Sequence, residues 1–552
     1  MKNIIFVGYR NNAKGNLFYL LILLFLLFGN LFAQQINNLQ IIWQKTSPRN
    51  VLNFGRSISS GDLNGDGFSD IVIVGDSLYG GDTYTVKAYI YYGGLLFDTI
   101  PDLIIARPES TGFMDATVVK DINNDGYDDL VLGSQHINEI SIFFGGNPMD
   151  TICDYRIRGP HSGSLFGQAI SSGDVNGDGY SDLIVGAYGA APMPGGYLMG
   201  QVFIYFGGPN FDTIPDVILN GGHHNDQEGF GSDIGYCADV NSDGYDDVII
   251  GACNFGLNHG RLYVYFGGNP MDTIADVTMM GEGVNHFLGR FAMSSIRNLI
   301  NYDYAIIGTP LWPYGFPNIG NGKIYILFGG IPMDSVPDVY MTGRTSISGL
   351  SQSLSRAGYI SSFFSDAIIS GVPRESNYIG YAYIWLGEPN LDTIPDAWLR
   401  GLQYDDGVGW AVATAGDVDG DGRDEVMISN YASNFTPKRV WVCKYTGVGI
   451  EENRQPFSAI RLLLEVYPNP VKAVLRVSCP WSVKEIKVYD IAGKIIKTLK
   501  VDSRPNTEHR EIMWNLKDEN QKRVANGIYF VELIAEQEKE RIREIRKITI
   551  IK

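Results

Sequence analysis

One nine-residue pattern recurs along this chain and decides most of what it can fold into. In "DVNGDGYSD", Asp174, Asn176, Asp178, Tyr180 and Asp182 fall at positions 1, 3, 5, 7 and 9, with Gly179 at position 6. The same spacing returns as Asp62, Asn64, Asp66, Phe68 and Asp70, and again as Asp121, Asn123, Asp125, Tyr127 and Asp129. Two further copies are Asp239, Asn241, Asp243, Tyr245, Asp247 and Asp417, Asp419, Asp421, Arg423, Glu425. Each runs straight into an apolar segment such as "LIVGA". The gap between Asp239 and Asp417 has room for two degenerate copies, whose apolar tails end at Gly308 and Gly371. The result is seven units at a pitch of about 59 residues, which is the mark of a repeat architecture.

Other markers keep the same count. Seven aromatic segments end near glycine, among them "YIYYGG" (89–94), "VFIYFGG" (202–208) and "VWVCKYTG" (440–447). Six are followed by a segment like "DTIPDLII"; the seventh lacks it. Each unit therefore holds four short strands with tight turns, the plan of a propeller blade. Small residues before the acidic loop ("GQAISSGD") suit an innermost strand, where blades crowd the axis. An unpaired outer edge is a liability, so residues 39–45 are expected to supply the last blade's missing strand. The expected fold is all-β: a seven-bladed β-propeller over 35–447, a linker at 448–462, and a small immunoglobulin-like β-sandwich over 463–552.

Oxygen ligands at alternate positions of a tight loop can converge on one hard cation, with position 7 giving its backbone carbonyl. On that reading the identity of residue 7 is free. An EF-hand opens the same way but needs a bidentate Glu at position 12 and flanking helices. Here position 12 is Ile73, Leu132, Val185, Ile250 or Ile428, inside a β-like run. The loops therefore join strands. Many carboxylates on a flexible loop favour Ca²⁺ over Mg²⁺, and about five sites are expected. A bare solvated acidic turn is the alternative, and five copies of one ligand pattern argue against it. The equivalents in units five and six (Ile296, Asn298, Ile300, Tyr304; Gly358, Ile360, Ser362, Asp366) break the pattern, and no ion is expected there.

"FGQAISSGDVNGDGYSDLIVGA" (166–187) resembles the FG-GAP repeat of integrin α-subunit β-propellers. Phe54-Gly55, Phe166-Gly167 and Phe230-Gly231 match its first element, and Gly186-Ala187 and Gly251-Ala252 its second. The resemblance implies that the calcium loops lie on the lower face, bracing blades, and that ligands meet the upper face. The chain departs from it in having five such loops and no leg or membrane segments, so a receptor heterodimer is not implied. Upper-face candidates are Tyr188, His223, His224, Trp312, Tyr314 and Phe316, which could stack on sugars or protein side chains; taken singly, each is more readily read as packing its own loop, while the face as a whole reads as a binding surface.

The last 90 or so residues are net positive by about five. They resemble C-terminal sorting domains of type IX secretion cargo in "YPNP" (467–470), "VYDIAGK" (488–494), "NGIYFVEL" (526–533) and the basic end "KITIIK". "MWNLKDENQKRVANGIYF" is also similar to a FlgD-type immunoglobulin-like domain. At the other end, Lys2, Arg10 and Lys14 precede the apolar "LFYLLILLFLLFGNLFA" (17–33), with Ala33 suited to cleavage. Residues 1–33 are expected to be a signal peptide, with an uncleaved anchor as the alternative. No membrane span is expected after its removal.

A net charge of −18 argues against nucleic-acid binding. Five scattered cysteines show no metal spacing and read as core fillers. Seven dispersed His, with no HExxH or phosphate loop, give no catalytic constellation. The expectation is a secreted or surface-exposed, calcium-binding, non-enzymatic protein of extracellular binding or adhesion. Its partners are an extracellular protein or glycan, and secretion machinery through the C-terminal domain. The alternative is an extracellular carbohydrate-active enzyme, a polysaccharide lyase or glycosidase, on the same scaffold.

Overall fold

The structure, a computed structural model, describes residues 35–447 and 465–550 apart from short stretches. Those in the first part are 49–50, 80–82, 95–96, 108–114, 192–197, 223–227, 236, 291–292, 297–302, 310–319, 331–332, 344–348, 362–365, 388–392 and 431–436. Those in the second are 468–474, 481–482, 491–493, 501–508, 520–521 and 538–539. The expected signal segment and the linker lie outside the described residues. The chain divides into two compact units at Gly447.

Among the described residues, the first unit contains seven antiparallel sheets. Blade three shows the plan: Ile170–Gly173, Asp182–Ala187, Gln201–Tyr205 and Val217–Asn220 pair in chain order. First strands of successive blades touch all the way round, including Val408–Gly416 of blade seven against Ile58–Gly61 of blade one. They therefore surround a common axis, and the sheets form a closed seven-bladed β-propeller.

Each blade lies between two others, so its second strand is buried on both faces and reads as a continuous apolar run. Alternate side chains serve opposite interfaces. Ile184, Val202 and Leu219 of blade three pack on Phe230, Val248 and Ile250 of blade four. Leu183, Val185 and Phe203 pack on Val131 and Ile140 of blade two. The paired motif elements meet where adjacent blades approach. A Cβ on Gly186 would stand 2.5 Å from the carbonyl oxygen of Gly231 in the next blade, and one on Gly133 2.1 Å from that of Gly167. The preceding phenylalanines, Phe166 and Phe230, are fully buried.

Leu39–Thr46 pairs antiparallel with Arg439–Tyr445 and is the outermost strand of blade seven. Ahead of it Gln35–Asn37 adds a fifth strand to blade six, beside Ala397–Arg400, a pairing not anticipated from sequence. Asn38, at φ 53°, turns the chain between the two blades, and its Nδ2 donates to the Asp396 carbonyl at 2.8 Å. Trp43 then packs against blade one, its ring 5.2 Å from those of both Tyr91 and Phe97. Its Nε1 donates to the Asp98 carbonyl at 2.6 Å.

The "DTIPD" segment has a local purpose. Its first Asp accepts the N–H two residues on (Ile100 to Asp98, 2.6 Å). Its last accepts the N–H that ends the aromatic strand (Tyr92 to Asp102, 2.8 Å).

Among the described residues, the second unit holds two antiparallel sheets. Glu465–Tyr467, Leu475–Pro480 and His509–Trp514 form one. Ile495–Lys500, Val483–Asp490, Gly527–Gln537 and Glu540–Ile550 form the other, in that order. Buried Trp514 of the first meets Tyr529 of the second at 6.5 Å.

Candidate functional site

Each acidic loop joins the first and second strands of its blade. In blade three the loop is wound around its own carboxylates. Asp174 accepts the N–H groups of Asp178 (3.1 Å) and Gly179 (2.9 Å). Asn176 Oδ1 accepts the Asp178 N–H at 2.8 Å, and Asp178 Oδ1 accepts that of Tyr180 at 3.0 Å. The loops at Asp62, Asp121 and Asp239 repeat these bonds to within a few tenths of an ångström. Position 6 is held at φ +84° to +96° in all five loops, and a Cβ there would meet nothing. Backbone conformation, not space, requires that glycine.

Position 9 lies deeper. Asp182 is fully buried and accepts two N–H groups at 2.9 Å, from Val175 and from Gly207 at the end of the third strand. Asp70, Asp129 and Asp247 make the equivalent pairs. Burial pushes Asp70, Asp129 and Asp182 up to about 7 and Asp247 up to about 8, against the pull of those N–H groups. A carboxylate so placed is costly to ionise without a cation nearby. Each oxygen has a second lone pair left for one. The donor set of three carboxylates, an amide oxygen and a carbonyl fits a calcium ion.

The loops also clip blades together. Asp246, at position 8 of blade four, accepts the Asp174 N–H of blade three at 3.0 Å, and the Asp246 N–H returns to the Asp174 carbonyl at 2.9 Å. Asp128 does the same for Asp62, and Asp424 accepts the Tyr359 N–H at 2.7 Å. These position-8 residues were not singled out from sequence, although the doubled "DD" was a signal. The expectation that residue 7 is free in identity needs correction. A Cβ on Gly65 would meet the Tyr127 ring at 2.5 Å, one on Gly177 the Tyr245 ring at 2.5 Å, and one on Gly420 the Phe68 ring at 2.4 Å. Residue 7 of one loop thus covers position 4 of its neighbour.

The loop at Asp417 differs. Oxygens of Asp417, Asp419 and Glu425 lie within 4.8 Å of one another, and burial pushes Glu425 up to about 8. The Lys444 ammonium stands beside Asp419 and Asp421. Of the unit-six equivalents, buried Asp366 faces Arg356 Nη1 at 3.7 Å.

At the opposite end of the first strands lies a cavity of about 620 Å³, bordered by Asn53, Arg56, Asp115, Gln352, Trp410 and Lys438. A smaller one of about 280 Å³ continues from Arg56 and Asp115 to Gln168, Asp233 and Arg290. Arg56, Gln168 and Trp410 each follow a buried apolar-glycine pair at the head of a blade, at Gly55, Gly167 and Gly409. Asp115 accepts the Ser57 hydroxyl at 2.6 Å. Tyr188 is half-buried just past the second strand of blade three. His223, His224, Trp312, Tyr314 and Phe316 lie outside the described residues.

The FG-GAP repeat family matches residues 54–91, 166–205 and 408–443, and the secretion system C-terminal sorting domain family matches 465–550. Among curated proteins, integrin alpha-PS5 of Drosophila melanogaster is 36% identical over 151 residues, covering 25% of this chain and 15% of that protein. Integrin alpha-5 of Xenopus laevis is 27% identical over 231 residues, covering 38% and 20%. The chain therefore matches about a fifth or less of these relatives' own length. A solved structure of PorZ, an essential bacterial surface component of the type-IX secretion system of Porphyromonas gingivalis, is similar at 13% identity and a TM-score of 0.38, covering 92% of this chain and 60% of that one. No helix among the described residues is long and apolar enough to cross a membrane. The chain is an exported bacterial surface protein whose seven-bladed β-propeller matches the FG-GAP repeat over 54–91, 166–205 and 408–443, and whose second unit matches a secretion system C-terminal sorting domain over 465–550.

Proposed function

We propose that this is a calcium-braced, non-catalytic binding protein that presents the mouth of its propeller to an extracellular protein or glycan. The observation that carries the reading is the cavity at the end of the ring away from the acidic loops. Trp410 offers an aromatic face, Gln352 and Asn53 offer amides, and Arg56 and Lys438 offer positive charge. That is the mixture a rigid recognition site uses.

Calcium would be held by Asp62, Asn64, Asp66, the Phe68 carbonyl and Asp70, and by the matching residues of the loops at Asp121, Asp174 and Asp239. Its contribution is charge: it offsets the ionised position-9 carboxylates and fixes the loops that clip neighbouring blades. Residues 463–552 serve as the domain that type IX machinery handles.

The exported chain is screened on glycan and matrix-protein arrays, with a depolymerisation assay run on every glycan bound. Expected is binding that Trp410→Ala and Arg56→Ala abolish while the melting temperature stays within a few degrees. Binding unaffected by both variants would reject the cavity. Turnover lost in both would make the protein an enzyme. A melting temperature unmoved by chelator would remove calcium from the scheme.

A further inference from the structure

We propose that the fifth acidic loop carries its own cation: the Lys444 ammonium takes the place that calcium takes in the other four. The blade that closes the ring is then braced without metal. The inference rests on the calcium reading of the four loops at Asp62, Asp121, Asp174 and Asp239.

Strand register places Lys444. The residue after the loop's ninth position pairs with the third strand as Ile71 with Tyr91, Leu130 with Phe143, Leu183 with Tyr205, Val248 with Tyr265 and Val426 with Cys443. The next residue along is Tyr92, Phe144, Phe206 and Phe266 in the first four, and Lys444 in the fifth. Where four blades end this strand on an aromatic ring, blade seven ends it on an amine.

That amine reaches into the loop. Lys444 Nζ is 2.7 Å from Asp419 Oδ2, 2.5 Å from Asp421 Oδ2 and 3.7 Å from Glu425 Oε1. These are positions 3, 5 and 9 of the ligand pattern. The loop's own residues change with it. Position 3 is Asp419 here and Asn64, Asn123, Asn176 and Asn241 elsewhere; position 9 is the longer Glu425 in place of Asp. In the asparagine loops the side-chain amide donates to the position-5 carboxylate at 2.8–3.1 Å. In blade seven the ammonium donates to that same carboxylate and to position 3 as well. Calcium on these oxygens at its usual 2.3–2.6 Å would lie within about 5 Å of Nζ, with like charge and shared acceptors. The two cations compete for one place.

The lysine is also held from behind. Lys444 pairs with Gln40 of the strand that closes the ring, and its neighbour Cys443 is fully buried. The tethered charge therefore sits at the seam where the two ends of the propeller meet. The sixth unit follows the same logic with one pair: Asp366, at position 9, faces Arg356.

The test counts calcium on the exported chain by equilibrium dialysis and atomic emission. Wild type should bind about four ions, Lys444→Met about five, Asp174→Ala about three, and Asp417→Ala still about four. In chelator, Lys444→Met should melt below wild type, and calcium should recover that difference. Five ions on wild type, falling to four in Asp417→Ala, would overturn the proposal. So would an unchanged count in Lys444→Met. No calcium on wild type at all would instead fell the calcium reading on which the inference stands.

Discussion

Trp43 should be worth more to this protein than any residue of comparable exposure on an outer strand. It stands on the strand that closes blade seven, is 5% exposed, and spans the seam to blade one. Trp43→Ala removes a buried indole, two ring contacts at 5.2 Å and the bond to the Asp98 carbonyl. The buried volume sets a cost of about 3–5 kcal/mol. Trp43→Phe keeps a ring against Tyr91 and Phe97 but leaves that carbonyl without its indole donor, at about 1–2 kcal/mol. Both costs should be the same with and without calcium, because no acidic loop is touched. Urea unfolding followed by far-ultraviolet circular dichroism measures them. Amide exchange then shows whether Arg439–Tyr445 loses protection first in Trp43→Ala. A cost below about 1 kcal/mol with that strand still protected would mean the seam is held by something other than this strand.

Three further outcomes are expected. Gly186→Ala places a methyl group 2.5 Å from the Gly231 carbonyl and should cost about 2–3 kcal/mol, read as a lowered urea midpoint; a neutral result would mean the blades can spread there. In chelator, stability should fall as pH rises from about 5 to 8. Asp182 and Asp247, raised by burial to about 7 and about 8, bind protons in the folded chain that the unfolded chain has already released, and they lose them over that range. Saturating calcium should flatten the slope, and a rising profile in chelator would contradict the burial. Deleting residues 463–552 should leave the propeller in the periplasm, checked by fractionation, and normal surface delivery would reject the sorting role.

The blade count, the four strands per blade and the five acidic loops were legible in the sequence because each is local. An Asp-Asn-Asp spacing, a glycine at a positive φ and an apolar run need only their neighbours to be recognised. The sorting domain was legible for the same reason, through short motifs. What escaped is what depends on adjacent blades. Asp128 and Asp246 bond to Asp62 and Asp174 of the preceding blade, a pairing that no local pattern encodes. The rings of Tyr127 and Tyr245 looked incidental until they covered Gly65 and Gly177. The cavity bordered by Arg56, Asp115, Gln352 and Trp410 gathers residues 354 positions apart, so no window of sequence contains it. Lys444 is the plainest case: in sequence it is one basic residue at the end of a strand, about 20 positions from the carboxylates it meets. Periodicity along the chain specified a ring of like blades. Only closing that ring set each side chain against the blade beside it, and there burial and neighbouring charge set the environment of each loop's carboxylates.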